Sequence, residues 1–127
     1  MSKVDYVAAM EQFKTSAGMT PEAAVKDLNP GQRNAYANTL NNLGITYGMK
    51  GQTDDAAEMF RAAIRLDPGL AKAYFNLGNA LMHKGQTSEA LKYFDTAVLI
   101  EPANSLFRAN RDNTQRLLNA AESRERK

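Results

Sequence analysis

Apolar residues recur along this chain at helical intervals, and the same arrangement is written twice. Leu40, Leu43, Gly44 and Tyr47 fall at i, i+3, i+4 and i+7, and Tyr74, Leu77, Gly78 and Leu81 fall at the same intervals further on. Each set forms one stripe on one helix. A second helix follows each time, with Ala56, Phe60 and Ala63 on one face in the first case and Ala90, Phe94 and Ala97 in the other. Between the paired helices stand Gly51 and Gly85, where a left-handed cap is expected to end the first helix. Thr53 and Thr87 offer N-cap hydroxyls to the second helix, with Asp54, Asp55 and Glu89 in the turn that follows. Pro68 and Pro102 then close the pattern, because proline lacks an amide donor and disfavours helix in the residue before it.

The repeat spacing is 34 residues: Gly51-Gln52-Thr53 returns as Gly85-Gln86-Thr87, and Asp67-Pro68 as Glu101-Pro102. The units are therefore 37–70 and 71–104. Small residues at Gly44, Gly78, Ala56 and Ala90 let the helices of one hairpin approach closely, and Phe60 and Phe94 fill the space between hairpins. Repeat length and residue types together resemble the tetratricopeptide repeat, although Leu40 and Tyr74 stand where that family often has tryptophan. The resemblance implies an all-α, right-handed superhelical solenoid of antiparallel helix pairs.

Two units need protected ends. In register, residues 105–127 form a capping helix and a basic tail. Phe107, Thr114 and Leu118 face the preceding unit, Arg108, Asp112 and Gln115 face outward, and Arg111 is a polar misfit on the inner side, expected to run past its neighbours. At the other end Val4, Tyr6, Val7, Met10 and Phe13 have helical spacing, and Gly18 ends that helix. Thr20-Pro21-Glu22 starts a short second helix with Ala24 and Leu28 inward, and Asn29-Pro30-Gly31 turns the chain. Residues 1–34 thus read as a degenerate first hairpin, giving seven helices in one domain.

Composition narrows the chemistry. The chain has 127 residues, 43% hydrophobic and 24% charged, with no cysteine and one histidine. That excludes disulfides, thiolate sites and metal centres built on several imidazoles. No signal-peptide-like or membrane-spanning apolar run occurs, so a cytoplasmic protein is the default expectation. The net charge of +2 is uneven, with six basic and three acidic residues in 105–127. The bases alternate with acids there, which fits a solvated helix end better than a nucleic-acid surface. An RNA-binding helical repeat would want 35-residue units and a basic groove. No phosphate loop, dinucleotide glycine pattern or paired-histidine motif occurs, and no cofactor is expected. His83 has no carboxylate or serine placed by the repeat to work with it, so no enzymatic activity is expected.

Function is expected on the groove. By the resemblance, first-helix positions line a concave surface: Asn38, Asn41, Asn42, Ile45, Gly48 and Met49 in the first unit, and Lys72, Phe75, Asn76, Asn79, Met82 and His83 in the second. The cap helix adds Leu106, Ala109, Asn110, Asn113, Arg116 and Leu117. Asn42, Asn76 and Asn110 recur in phase, and Asn79 and Asn113 form a shorter pair. Asparagine is a poor helix former, but its amide offers the donor and acceptor that the backbone of an extended peptide needs. The row resembles the asparagine ladder of some tetratricopeptide proteins, such as the O-linked N-acetylglucosamine transferases. Its structural alternative is that the amides bond across neighbouring helices. Met49, Phe75 and Met82 are the large apolar groove residues. The family's carboxylate clamp matches only at Asn42 and Lys72: Asn76 stands where arginine is expected, and Val7 and Glu11 replace lysine and asparagine. Lys72 still favours an acidic ligand. The expectation is a non-enzymatic module that holds an extended protein or peptide segment, with no nucleic acid or membrane partner. Self-association through stacked repeats is the alternative.

Overall fold

The computed structural model describes residues 28–125, and over them the chain is helical throughout. The helices are α1 (Pro30–Met49), α2 (Thr53–Leu66), α3 (Ala71–His83), α4 (Thr87–Ile100) and α5 (Ser105–Glu125). The expected hairpin within 1–34 lies, apart from its last residues, outside the described residues, and with it the expectation of seven helices.

Asn29-Pro30-Gly31 does more than turn the chain, because it starts α1 well before Ala37. The Asn29 side chain accepts from the Gln32 amide at 2.8 Å, and the Gln32 side chain accepts from the Asn29 amide at 3.0 Å. This reciprocal capping box satisfies two otherwise orphaned donors, and Pro30 at the first helical position loses nothing by lacking one. The added turns bury Tyr36 beside Leu40, Met59 and Leu66.

α1 and α3 end alike. Gly51 and Gly85 have φ of 79° and 77°, and the amides of Gln52 and Gln86 reach back to the carbonyls of Tyr47 and Leu81 at 2.9 Å. The left-handed glycine allows this closing bond. Thr53 and Thr87 do not cap the following helices. The carbonyls of Gln52 and Gln86 already accept from Ala56 and Ala90 at 3.0 Å, so glutamine is the cap residue and threonine the first helical one. α2 and α4 stop ahead of Pro68 and Pro102, as their sequences imply.

Each hairpin closes on a glycine. Phe60 of α2 lies against Gly44 of α1, and Phe94 of α4 against Gly78 of α3. Phe60 also joins Leu77, Ala80 and Leu81 of the next hairpin, so one aromatic ring knits two units. Ala71, Ala97, Val98 and Phe107 continue the core into α5. On α5, Phe107 and Thr114 are buried and Leu118 half-buried, while Arg108, Asp112 and Gln115 are exposed. Arg111 turns back onto Asp112 at 3.0 Å. The architecture is an all-α solenoid of helix pairs, with α5 covering one end. Among the described residues no helix is long and apolar enough to cross a membrane.

Candidate functional site

The first helices of each unit, α1 and α3, lie on one side of the stack, with α5 next in register. Two clefts open between them. The first, of about 480 Å³, has Ile45, Gly48 and Met49 of α1 on one wall and Asn76, Asn79 and His83 of α3 on the other, with Ala56 and Phe60 of α2 at its base. The second, of about 230 Å³, lies between α3 and α5 and is lined by Asn79, Met82, Phe94, Asn110, Asn113, Thr114 and Leu117. Every residue of the second stands 34 positions after a residue of the first, so the clefts are one site used twice. The close approach at Gly44 and Gly78 sets the ring of Phe60 or Phe94 beneath each cleft.

Asparagines pin the cleft walls. Asn76 donates to the side chain of Asn41 at 2.9 Å, joining α3 to α1. Asn110 donates to the side chain of Asn79 at 3.3 Å, joining α5 to α3. Each bond engages one amide hydrogen, and a carboxamide has a second hydrogen and a carbonyl oxygen.

A family model for the tetratricopeptide repeat matches residues 41–110. The chain belongs to the tetratricopeptide repeat family. Among solved structures it is similar to the second tetratricopeptide domain of human RPAP3, solved by NMR in complex with the HSP70 peptide SGPTIEEVD. That match has a TM-score of 0.59 at 26% identity and covers 62% of this chain and 66% of that one, so it spans just under two thirds of the domain. The fold is also similar to a chain of the CopN-Scc3 complex, with a TM-score of 0.66 at 16% identity over 99% of this chain and 84% of that one. A comparison with curated protein sequences found no significant match.

Within this tetratricopeptide stack the expected groove residues divide. Asn76 and Asn79 line the first cleft, and Asn79, Met82, Asn110 and Asn113 the second. Met49 is 84% exposed at the edge of the first. Lys72 and Asn42 are exposed on the same helices. Asn41 is only 1% exposed and supports Asn76 from beneath. Asn38 bonds back to the Asn34 carbonyl of its own helix at 2.8 Å. Phe75 packs: its ring stacks on Phe107 at 4.7 Å and tilts onto Phe94 at 5.8 Å, joining α3 to α5. Asn113 accepts from Arg116 at 3.0 Å. The amide row is therefore partly structural, since two of its members hold neighbouring first helices together.

Ile45, Gly48, His83 and Leu117 are cleft residues that the asparagine pattern passes over. The repeat register places them on the first-helix side, and comparing the two units position by position raises them: Gly48 answers to Met82 and His83 to Leu117.

Electrostatics around the groove are sparse. Lys72 and Arg116 are exposed on the groove helices, and no carboxylate, lysine or arginine lines either cleft. Lys84, just after α3, pairs with Asp54 at the start of α2 at 2.6 Å. The hydrogen bond from Lys84, reinforced by its charge, holds the Asp54 carboxyl below the ordinary carboxylate range. Among the described residues no group of three or more histidines and carboxylates is placed to hold a metal ion.

Proposed function

We propose that the groove along α1, α3 and α5 binds an extended segment of a partner protein and carries out no reaction on it. The observation that carries this reading is the repetition of one cleft at a 34-residue step, with an interhelical asparagine on each copy. A ligand that repeats along its length, such as a peptide backbone, suits a site that repeats along its length. Asn76 and Asn110 are already held by Asn41 and Asn79, so presenting their remaining donor and acceptor costs little rotamer entropy on binding. The similar RPAP3 domain, with its HSP70 peptide, supports a peptide as ligand. Lys72 and Arg116, exposed on the groove helices, favour acidic residues in that segment.

Affinity is expected to be modest. Three amide hydrogen bonds contribute about 0.5–1.5 kcal/mol each, whereas association costs on the order of 4–15 kcal/mol. Apolar contacts at the clefts must supply the rest, which sets Kd at roughly micromolar or weaker. Asn76→Ala tests the reading by titration with peptides that bind the groove: several-fold weaker binding is expected, and unchanged affinity sinks the amide role. Self-association by stacking is the competing reading, and α5 works against it at its own end. A second copy docking there would bury Arg108, Asp112 and Gln115, polar groups that are expensive to take out of water without partners. Sedimentation across concentration should give a monomer.

A further inference from the structure

The two clefts share a position in the repeat but not a size or a chemistry. On the reading that an extended segment lies along the groove, we infer that the cleft between α1 and α3 takes one large apolar side chain of that segment, leucine- to phenylalanine-sized. The cleft between α3 and α5 takes a small or polar side chain instead. The partner is therefore an acidic segment with a single bulky apolar residue, and the unequal clefts fix the register in which it lies.

The first cleft, at about 480 Å³, offers about twice the volume of the second, at about 230 Å³. The cause is a difference in side chains on the same backbone plan. Gly48 becomes Met82 and Ala80 becomes Thr114, and each change pushes side-chain atoms into the second cleft. Ile45 becomes Asn79, which turns an apolar wall into an amide, and His83 becomes Leu117 at the rim. Ile45 and Met49 remain 40% and 84% exposed, so the first cleft carries apolar surface that an occupant would take out of water.

Charge selects what surrounds the apolar residue. No lysine, arginine or carboxylate lines either cleft, so an ionised side chain seated in one would lose hydration that the lining does not replace with such a charge. Lys72 and Arg116 stand outside the clefts, exposed on the groove helices, so acidic residues belong beside the anchor rather than in it. Spacing follows from the helices. Axes of packed helices lie about 8–10 Å apart, and a polyproline-like extended chain rises about 3.1 Å per residue with three residues per turn. The third residue after the anchor thus returns to the same face at about the distance of the second cleft.

The probes are synthetic peptides of about twelve residues, long enough in extended form to cross three helices, built on a glutamate, serine and alanine background. One central position carries each amino acid in turn, and then the position three residues away does so; anisotropy reads binding to the full chain. The wild type should prefer leucine, isoleucine, methionine or phenylalanine over alanine at the centre by roughly ten- to hundredfold, the effect of burying one such side chain. Gly48→Met should abolish that preference while the peptides still bind. A Cβ at Gly48 meets nothing nearer than Ala56 at 4.0 Å, and methionine already stands at the same register as Met82, so the variant should fold. Met82→Ala should create an apolar preference at the second position. Peptides that bind the wild type without apolar preference, or a preference that survives Gly48→Met, overturn the inference and leave the groove reading standing. If none of the peptides binds, the groove reading falls with it.

Discussion

Phe94 lies across Gly78 so closely that a Cβ on the glycine would stand 2.6 Å from the ring's Cε1, and Phe60 stands over Gly44 in the same way at 2.5 Å. No real side chain tolerates such a contact, so the ring, the helix or both would have to shift. Overpacking of this kind costs about 1–3 kcal/mol, against about 0.8–1.0 kcal/mol gained by replacing a helical glycine with alanine. The overlap is deep and the ring is fixed by two hairpins, so strain wins. Gly44→Ala and Gly78→Ala should each lose about 1–2 kcal/mol in urea unfolding. Gly48→Ala, on the same helix but with open space above it, should instead be neutral or gain slightly. Equal responses at Gly44 and Gly48 would mean that the glycine-ring contact does not control hairpin packing.

The close contact explains why so much of this fold is readable without coordinates. Glycine, alanine and phenylalanine recur in phase because the close approach that requires them recurs in space, so one-dimensional spacing carries the packing. Gly51 and Gly85 are legible for a similar local reason: each occupies a backbone state that other residues avoid. The caps at Gln52 and Gln86 are not legible. Threonine is the better capping residue in isolation, and only the placement of the first carbonyl bond shows that the helix starts one residue earlier. The start of α1 at Pro30 is missed because Asn-Pro-Gly serves equally as a turn and as a capping box, and only Gln32 decides. Sequence places the asparagines on α1, α3 and α5 but cannot show that Asn76 has taken Asn41 as its partner. That pairing depends on how far two helices separated in sequence approach each other. The same holds for Phe75, whose rank among groove residues follows from register while its stacking on Phe107 follows from the position of α5.

Gly51 and Gly85 support a second prediction. With φ near +78° on average, alanine at either position would sit in the left-handed region at a cost of about 1–2 kcal/mol. No neighbour lies within 4 Å of a Cβ there, so the penalty is purely conformational. Gly51→Ala and Gly85→Ala should therefore lose about 1–2 kcal/mol, and Gly85→Asn, which tolerates this region better, should lose less. If alanine and asparagine are equally harmful, side-chain crowding rather than backbone strain is responsible.

Asp54 and Lys84 tie the start of one hairpin's second helix to the end of the next hairpin's first. The folded state holds the Asp54 carboxyl below its ordinary value of 3.8, through the Lys84 hydrogen bond first and its charge second. A depressed carboxylate contributes stability above its unfolded pKa and loses it as pH falls through the folded one. The pair is solvent-exposed, so its effect is small and screened by salt. Asp54→Asn should lower the melting temperature slightly at neutral pH in low salt, and the difference should close in acid and in high salt. Lys84→Met should show the same neutral-pH deficit. If only Asp54→Asn shows it, the carboxylate acts on the helix end and not through Lys84.

Tyr74 produces the opposite limb. Its hydroxyl donates to the Pro68 carbonyl at 2.8 Å, and its ring stacks on Tyr93 at a centroid distance of 6.4 Å. Burial raises its pKa above the ordinary 10.0, with the Asp67 charge and Tyr93 adding to the rise. All three causes act in one direction because each disfavours the phenolate. A raised pKa in the folded state means that the neutral phenol is the form the fold prefers. Its contribution is complete below the unfolded pKa and is lost as pH rises through the folded one, since the unfolded chain ionises first. Tyr74→Phe removes the hydrogen bond, worth about 0.5–1.5 kcal/mol at neutral pH, and also removes the ionisation. Urea unfolding should therefore show the variant less stable than wild type at about pH 8, with the gap narrowing once the pH passes 10.0. Tyr93→Phe, which keeps the ring and the Pro68 bond, should retain most of the neutral-pH stability. A gap between wild type and Tyr74→Phe that stays constant through the alkaline range would show that Tyr74 ionises alike in the folded and unfolded chains, and would overturn the raised pKa.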